Sequence, residues 1–515
     1  MNVEIKPHVI SNCDITYQEY VVTGGTIARV LVATGRCAEK IVKETVGAAA
    51  DVLVLDIDIA ALMTPRLVRD AYAEFTRKHG REQDVILIPG AANPANFAAL
   101  AHDLSVKIAL GPKQAYDLGL VLESFDESLF SLNESADRLI REKRQREALN
   151  LLAELERAAM YDFKIGDLKI GGNSRMKVLG EIIDAPFGEA KRMALQHIRN
   201  GADIIDLGIP LGTAKREVTR TFEEVGAVAA KHHVPLSVDS LDPQLICAGM
   251  DAGAELILSL TADNASEIAP SIAKKDLAVV VLPKNGDVCA TIALARSLGI
   301  RKIIADPVLY PIGGGASNSL AEYHRVRSVS RVPLFLGVGN VVELMEADSI
   351  GANALLAGLA MELGVSVLFT PEHSDKAKGS VNELRTAAQM MQLARFRKSP
   401  PKDLGIDLLL LKERRRRPEY QIMSEHLLDA HDFDTAAWTP DPAGNFVIGI
   451  KDGAIIARHD TGTAIRGTNA KTMLDAIFEL ELVSSTSHAA YLGRELKKAE
   501  IALKLGRSYA QDDEF

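Results

Sequence analysis

Gly201-Ala202-Asp203-Ile204-Ile205-Asp206-Leu207-Gly208 packs a helix exit, a short β-rich run and an acidic stop into eight residues. An uninterrupted apolar run of this kind suits a parallel strand covered on both faces. The same pattern recurs on either side. Strands are expected at Lys177–Ile183, Asp203–Leu207, Pro235–Val238, Glu255–Leu260, Ala278–Leu282, Lys302–Ala305, Pro333–Val338 and Val365–Phe369. Helical segments separate them, among them Lys215–His232, Asn264–Lys274 and Val341–Leu363. Eight β/α repeats in about 200 residues match the count and size of a (β/α)8 TIM barrel. A doubly wound open sheet is the alternative. Even spacing and the lack of a Gly-rich dinucleotide fingerprint favour the barrel.

Upstream, Ile27–Ala33, Val52–Asp56, Val85–Pro89 and Val106–Leu110 read as strands alternating with helices, a second parallel α/β unit. Between the two, Asp137–Met160 carries leucines at helical spacing among many charges, the pattern of a long joining helix. Downstream, Asn445–Ile450 and Ala454–Arg458 flank Asp452-Gly453, a strong two-residue hairpin signal. Two further helices complete a small α+β module. The basic run Lys412-Glu413-Arg414-Arg415-Arg416-Arg417-Pro418 reads as a solvated helix end stopped by proline. The expected domains are thus 1–130 (Rossmann-like α/β), 131–170 (helical linker), 171–395 (barrel) and 396–515 (α+β).

A net charge of −10 over 515 residues argues against a general nucleic-acid or anionic-membrane binder. No apolar run approaches the ~18–20 residues that span a bilayer. Four cysteines without a CxxC pair suggest neither a disulfide framework nor a Cys-rich metal site, and no His/Glu zinc-hydrolase pattern is present. A reduced, cytoplasmic protein is expected.

Barrel active sites sit at the carboxyl ends of the strands. Read in order, those ends offer Asp184, Asp206, Asp239, Ser259 with Asp263 and Asn264, Lys284, Asp306, Asn340, and Thr370 with Glu372 and His373. The strand interiors read as apolar, with polarity appearing where each strand stops. Any one Asp could be a helix N-cap. Four converging on one rim need a ligand or a cation to justify them. A carboxylate facing an amino-pyrimidine edge accepts two hydrogen bonds at once. Thr213, Lys215 and Arg216 after the second strand, and Thr370, His373 and Ser380 after the eighth, are candidates for binding phosphate. The rim suits a polar ring with an anionic tail.

The second-strand stretch quoted above, together with Pro235-Leu236-Ser237-Val238-Asp239-Ser240 and Ala305-Asp306-Pro307, resembles the signatures of the dihydropteroate synthase family, in order and at the right strands. The whole chain resembles the dihydropteroate synthase-like proteins of methanogens and methylotrophic bacteria. There a pterin-binding barrel carries an N-terminal domain, matched by Val32-Ala33-Thr34-Gly35-Arg36 and Leu55-Asp56-Ile57-Asp58, and a C-terminal extension. The resemblance implies that Asp239 and Asp306 face the pterin, joined by Ser259, Asn264 and Asn340. It gives Asp206 the place of the family's second-strand acid and puts Asp184 where the family has Asn. Asp184, Asp206, Asp239 and Lys284 are the catalytic candidates. Departures are clear. Pro210-Leu211-Gly212-Thr213-Ala214-Lys215-Arg216 replaces Ser-Thr-Arg-Pro, Gly339-Asn340-Val341 replaces Ser-Arg-Lys, and Leu368-Phe369-Thr370 replaces Arg-x-His. Gly-Asn-Val is instead similar to the pterin-dependent methyltransferases.

The resemblance implies a transferase that joins a dihydropterin methyl pyrophosphate to a ribofuranosyl-aminobenzene phosphate in tetrahydromethanopterin biosynthesis. The alternatives are a pterin-dependent methyltransferase and a non-catalytic pterin-binding or assembly protein. The expected ligands are a pterin and a phosphorylated aromatic amine. No resident metal is expected, Mg2+ accompanying pyrophosphate being the one cation considered. A homodimer is a family expectation.

Overall fold

The computed structural model describes residues 29–80, 82–95, 97–123, 130–183, 185, 188–413 and 439–513. The chain divides into two compact units, Met1–Glu147 and Ala148–Phe515. In the first, four parallel strands β1 (Val30–Thr34), β2 (Asp51–Val54), β3 (Val85–Ile88) and β4 (Lys107–Leu110) lie in the order β2-β1-β3-β4. β1 and β3 are buried along their whole length, as runs of Val, Leu and Ile under two helical layers should be. The helix Pro65–His79 starts on Thr64, whose hydroxyl accepts from Leu67 N–H, and stops at left-handed Gly80. Glycines after these strands serve chain crossing. A Cβ on Gly90 would sit 2.4 Å from the Gly111 carbonyl oxygen, and one on Gly35 2.7 Å from that of Asp58. The expected long helix is Ala136–Ala158.

The second unit opens with a hairpin, β5 (Phe163–Ile165) and β6 (Leu168–Ile170), then β7 (Lys177–Ile183), β8 (Ile204–Gly208), β9 (Leu236–Asp239), β10 (Leu256–Leu260), β11 (Ala278–Val281), β12 (Lys302–Ala305), β13 (Leu334–Gly337) and β14 (Val365–Thr370). These last eight form a closed parallel barrel, which decides against the open sheet. Closure comes from β14 lying beside β7, with Val367 opposite Lys177 and Thr370 opposite Gly180. A three-stranded antiparallel sheet follows: β15 (Phe446–Lys451), β16 (Ala454–His459) and β17 (Ala464–Gly467). Its first hairpin turns on Asp452 and Gly453, both at positive φ, as a two-residue turn requires. The basic run lies outside the described residues from Arg414 onward.

Alternate residues of a barrel strand face inward. Leu179, Ile204, Leu256, Leu258, Ala278, Val280, Ile304, Phe335 and Val367 form one interior cluster with Ile165 and Ile170 of the hairpin. The hairpin therefore stoppers the amino-terminal end of the barrel. Strand interiors are not wholly apolar, contrary to the sequence reading. Lys177 is fully buried, with Nζ bonded to Glu156 Oε1 at 2.7 Å and to the Arg175 carbonyl at 2.8 Å. Asp203 ties Arg175 and Arg385 together beside it. Among the described residues no helix is long and apolar enough to cross a membrane.

The stopper contributes to the barrel core, so its loss is measurable. Ile170→Ala removes a fully buried side chain and should cost about 2–4 kcal/mol, read as a lower urea midpoint with an unchanged far-UV spectrum.

Candidate active site

The inward parity continues above the apolar floor. Two residues beyond Leu179 comes Glu181, two beyond Ile204 comes Asp206, and two beyond Ile304 comes Asp306, while Asp239 ends β9. β7, β8 and β9 are neighbours, so their three acids meet. One carboxylate oxygen from each of Glu181, Asp206 and Asp239 lies within 4.8 Å of the others. Asp206 is completely buried. Its Oδ1 accepts from Ser237 Oγ, and its Oδ2 has no hydrogen-bond partner. Gly208, opposite Ile183 and Asp239 in register, keeps the space clear, since a Cβ there would lie 3.0 Å from Glu181 Oε1.

Crowding sets the protonation. Burial, followed by the Asp239 charge, pushes Glu181 up to about 8. Burial pushes Asp239 up to about 6. Asp206 is raised well above the carboxylate range by burial and then by both neighbours, while the Ser237 hydrogen bond opposes the shift. Three acids this close titrate as one group.

Asp306 stands apart from Asp239 across the mouth, just past the end of β12. Its Oδ1 accepts from Tyr323 Oη at 2.8 Å and from Val308 N–H at 2.8 Å, which fixes the carboxylate. Tyr323 is fully buried and also lies 2.9 Å from the Phe335 carbonyl, so this support is rigid. Val308 is held at φ 72°, an unusual conformation for a β-branched residue, by that bond to Asp306. Burial pushes Asp306 up to about 6, opposed by its two hydrogen bonds.

The other expected residues divide. Asp184 lies outside the described residues. Ser259 is half-buried on β10, and Asn264 spends its amide locally, accepting from Thr261 N–H and donating to the Ser259 carbonyl. Asn264 thus braces the end of β10. Asn340 is exposed, its Nδ2 donating to the Leu309 carbonyl at 2.8 Å and tying the loop after β12 to β13. Lys284 is exposed in a tight turn closed by backbone bonds with Asp287. Thr213 donates to the Pro210 carbonyl, and Lys215 and Arg216 are exposed in the first turn of the helix Lys215–Ala229.

Of the residues expected to bind phosphate after β14, Thr370 and Ser380 are buried. Thr370 shares the helix-facing side with Leu368 and pairs with Gly180, whose Cβ position meets His197 and Val381. It points away from the mouth because strand parity, not closeness to the strand end, sets its direction. Ser380 is fully buried and bonded to Asn353 Nδ2. The backbone donors of His373 and Ser374 are taken by the Glu343 carboxylate, at 2.7 and 2.9 Å, and Val381 N–H by Glu372. The His373 residue itself is exposed. Glu181 is the acid that sequence reasoning missed. Its signal was a lone charge in Val178-Leu179-Gly180-Glu181-Ile182-Ile183, in phase with inward Leu179.

Two clefts lie elsewhere. One of about 780 Å³ opens on the barrel flank, between the helices Glu189–Arg199 and Ser380–Arg397 and beside Lys504–Gly506. One of about 500 Å³ lies by the starts of β12 and β13. Neither includes the acids of the mouth.

The family model described as "Pterin binding enzyme" matches residues 180–292, which hold the three clustered acids, and the model "PterinBD-DUF4346" matches 440–512. An uncharacterized protein of Methanocaldococcus jannaschii, MJ0107, is 34% identical over 523 residues, spanning 94% of this chain and 98% of its own. The chain belongs to the family of that protein. Its barrel is dihydropteroate synthase-like, of the pterin-binding type. Among solved structures, Yersinia pestis dihydropteroate synthase with a pterine–sulfa conjugate is 21% identical, covering 45% of this chain and 99% of its own at a TM-score of 0.38. Thermus thermophilus dihydropteroate synthase in complex with 4-aminobenzoate is also 21% identical, covering 43% and 95% at 0.34.

Because the folded state raises these carboxyls, it holds more protons than the unfolded chain between about pH 4.5 and 8. Their contribution is present below that window and lost as pH rises through it. In chelator, the wild-type barrel should lose stability from pH 5 to pH 8. Glu181→Gln should flatten that slope and be more stable than wild type at pH 8 by about 1–3 kcal/mol, measured by thermal and urea unfolding.

Proposed function

We propose that the barrel mouth binds a reduced pterin and joins its C6 methylene carbon, with the pterin still attached, to an arylamine. The observation that carries this reading is the Asp306 carboxylate, fixed by Tyr323 and Val308, facing an apolar floor in a barrel that matches the pterin-binding enzymes. A pterin's N3–H and 2-amino group present two neighbouring donors, and with Oδ1 engaged by Tyr323 and Val308, both would turn to the two lone pairs of Asp306 Oδ2. Leu179, Leu258, Ile304 and Phe335 give the flat ring an apolar bed. Asp239, on the other side of the mouth, completes the polar edge.

For the reaction, a dihydropterin methyl pyrophosphate loses pyrophosphate as its C–O bond breaks, and the amine nitrogen forms the new C–N bond before releasing its proton. The demand on the protein is positioning and stabilisation of charge, not a strong base. Lys215 and Arg216 are exposed cations after β8, available to an anionic tail or to the phosphate of a ribofuranosyl-aminobenzene phosphate. That acceptor would place the reaction in tetrahydromethanopterin biosynthesis.

A second reading has its own support. The donors after β14 are occupied by Glu343 and Glu372, so no ready-made pyrophosphate cradle stands there. Methyl transfer from a methylated pterin needs no such cradle, and the resemblance of Gly339-Asn340-Val341 to the pterin-dependent methyltransferases favours it.

Full-length protein given the dihydropterin pyrophosphate and the phosphorylated arylamine should release pyrophosphate in step with amine consumption. Methyl transfer without pyrophosphate release would favour the second reading. Neither product, with pterin still bound, would favour a non-catalytic binder. Asp306→Asn should weaken pterin binding roughly 10–100-fold, and Tyr323→Phe by about 10-fold or less. Wild-type affinity should fall below about pH 6 as Asp306 gains its proton. Fluorescence titration checks all three.

A further inference from the structure

We propose that the cleft on the barrel flank binds a small organic ammonium ion, a primary amine on an apolar body, with His197 and Glu372 taking its charged end. This goes beyond the reading of the mouth and does not rest on it.

The cleft, of about 780 Å³, has the size of a small-molecule site. His197 and Glu372 line it, each with a side chain only 5% exposed. His197 Nε2 lies 3.2 Å from the Glu181 carbonyl oxygen, which can only accept, so Nε2 carries the ring proton. Burial lowers the imidazole's affinity for a second proton. Nδ1 is then a bare lone pair. It has no hydrogen-bond partner, whereas nearly every buried polar atom has one. Across from it, at 3.9 Å, stands Glu372 Oε2. That gap is too long for a direct hydrogen bond, and one nitrogen about 2.9 Å from each atom would bridge it. Two acceptors facing each other need a donor between them. An ammonium group brings three N–H bonds and a charge that matches the carboxylate.

The remaining walls favour a cation with a hydrocarbon body. Glu383 lines the cleft near Glu372, its Oε1 accepting from Ser349 Oγ and its Oε2 from Asn353 Nδ2, both neutral donors. Among the described residues no lysine or arginine forms an ion pair with Glu372 or Glu383, and burial is the main influence on both carboxyls. The cations on the rim are engaged elsewhere: Arg192 with Glu189, Lys378 with Asp375 and Lys504 with Glu500. An anion would therefore meet acids with no spare positive charge. A bare metal ion fits no better, since among the described residues His197, Glu372 and Glu383 do not bring one donor atom each within 4.8 Å of one another. Met193, Leu408, Leu409, Leu410 and Leu505 supply an apolar wall. Leu409 and Leu410 are exposed, leaving area that an alkyl or aryl body would cover.

The test titrates the full chain with 4-phenylbutylamine by isothermal titration calorimetry, with 4-phenylbutanol and 4-phenylbutyrate as the neutral and anionic counterparts. One site per chain is expected for the amine, with the alcohol at least about 10-fold weaker and the carboxylate unbound. Glu372→Gln and His197→Phe should each weaken the amine about 10-fold or more, whereas Arg192→Ala, on the exposed rim, should change its affinity by less than about 2-fold. Near-UV circular dichroism checks folding. Leu409→Trp, on the exposed apolar wall, should block the amine and replaces the buried variants if they do not fold. A crystal soaked with the amine should place its nitrogen between His197 Nδ1 and Glu372 Oε2. Absence of binding up to millimolar amine, equal affinity for amine and alcohol, unchanged affinity in the folded variants, or water alone between the two acceptors overturns the proposal. Pterin titration of the same samples reports the mouth separately, so failure of one reading is not failure of both.

Discussion

The pairing of Val367–Thr370 with Lys177–Gly180 closes the eight-stranded ring, and that closure decides which side chain of each strand faces inward. Once it is fixed, period-two alternation stacks an apolar layer, Leu179 to Phe335, beneath a carboxylate layer, Glu181, Asp206, Asp239 and Asp306. The hairpin Phe163–Ile170 seals the far end, so polar groups have one open face left. A one-residue slip of any one of these strands would turn its acid toward the helices.

Carboxylates gathered in that way repel one another and resist desolvation. The barrel meets this with unequal means. Asp306 has two donors and a rigid tyrosine behind it. Among the described residues, the carboxylates of Glu181, Asp206 and Asp239 have one hydrogen-bond donor, Ser237. The first is fixed in place by its donors, and the second holds its acids by burial with raised affinity for protons. Elsewhere on the same face acids are already satisfied by backbone donors, as Glu343 is by His373 and Ser374.

The strand count, the helices between and the acids at strand ends were legible because a buried parallel strand writes itself as an apolar run with a polar stop. Direction was harder to read. Thr370 and Ser380 follow a strand just as Asp306 does, yet parity turns Thr370 toward His197 and a helix start buries Ser380. Glu181 escaped because it sits within a run scanned for apolar character, although its phase with Leu179 marks it as inward. Lys177 escaped for the same reason. The local roles of Asn264 and Asn340 depend on loop carbonyls, Ser259 and Leu309, whose positions only tertiary structure supplies.

The most direct measurement is a crystal structure of the full chain soaked with 6-hydroxymethylpterin. The account predicts the ring over Phe335 and Ile304, its amino-pyrimidine edge on Asp306 Oδ2 and its other end toward Asp239. A pterin lodged in the flank cleft, or a mouth that stays empty at saturating ligand, would contradict it.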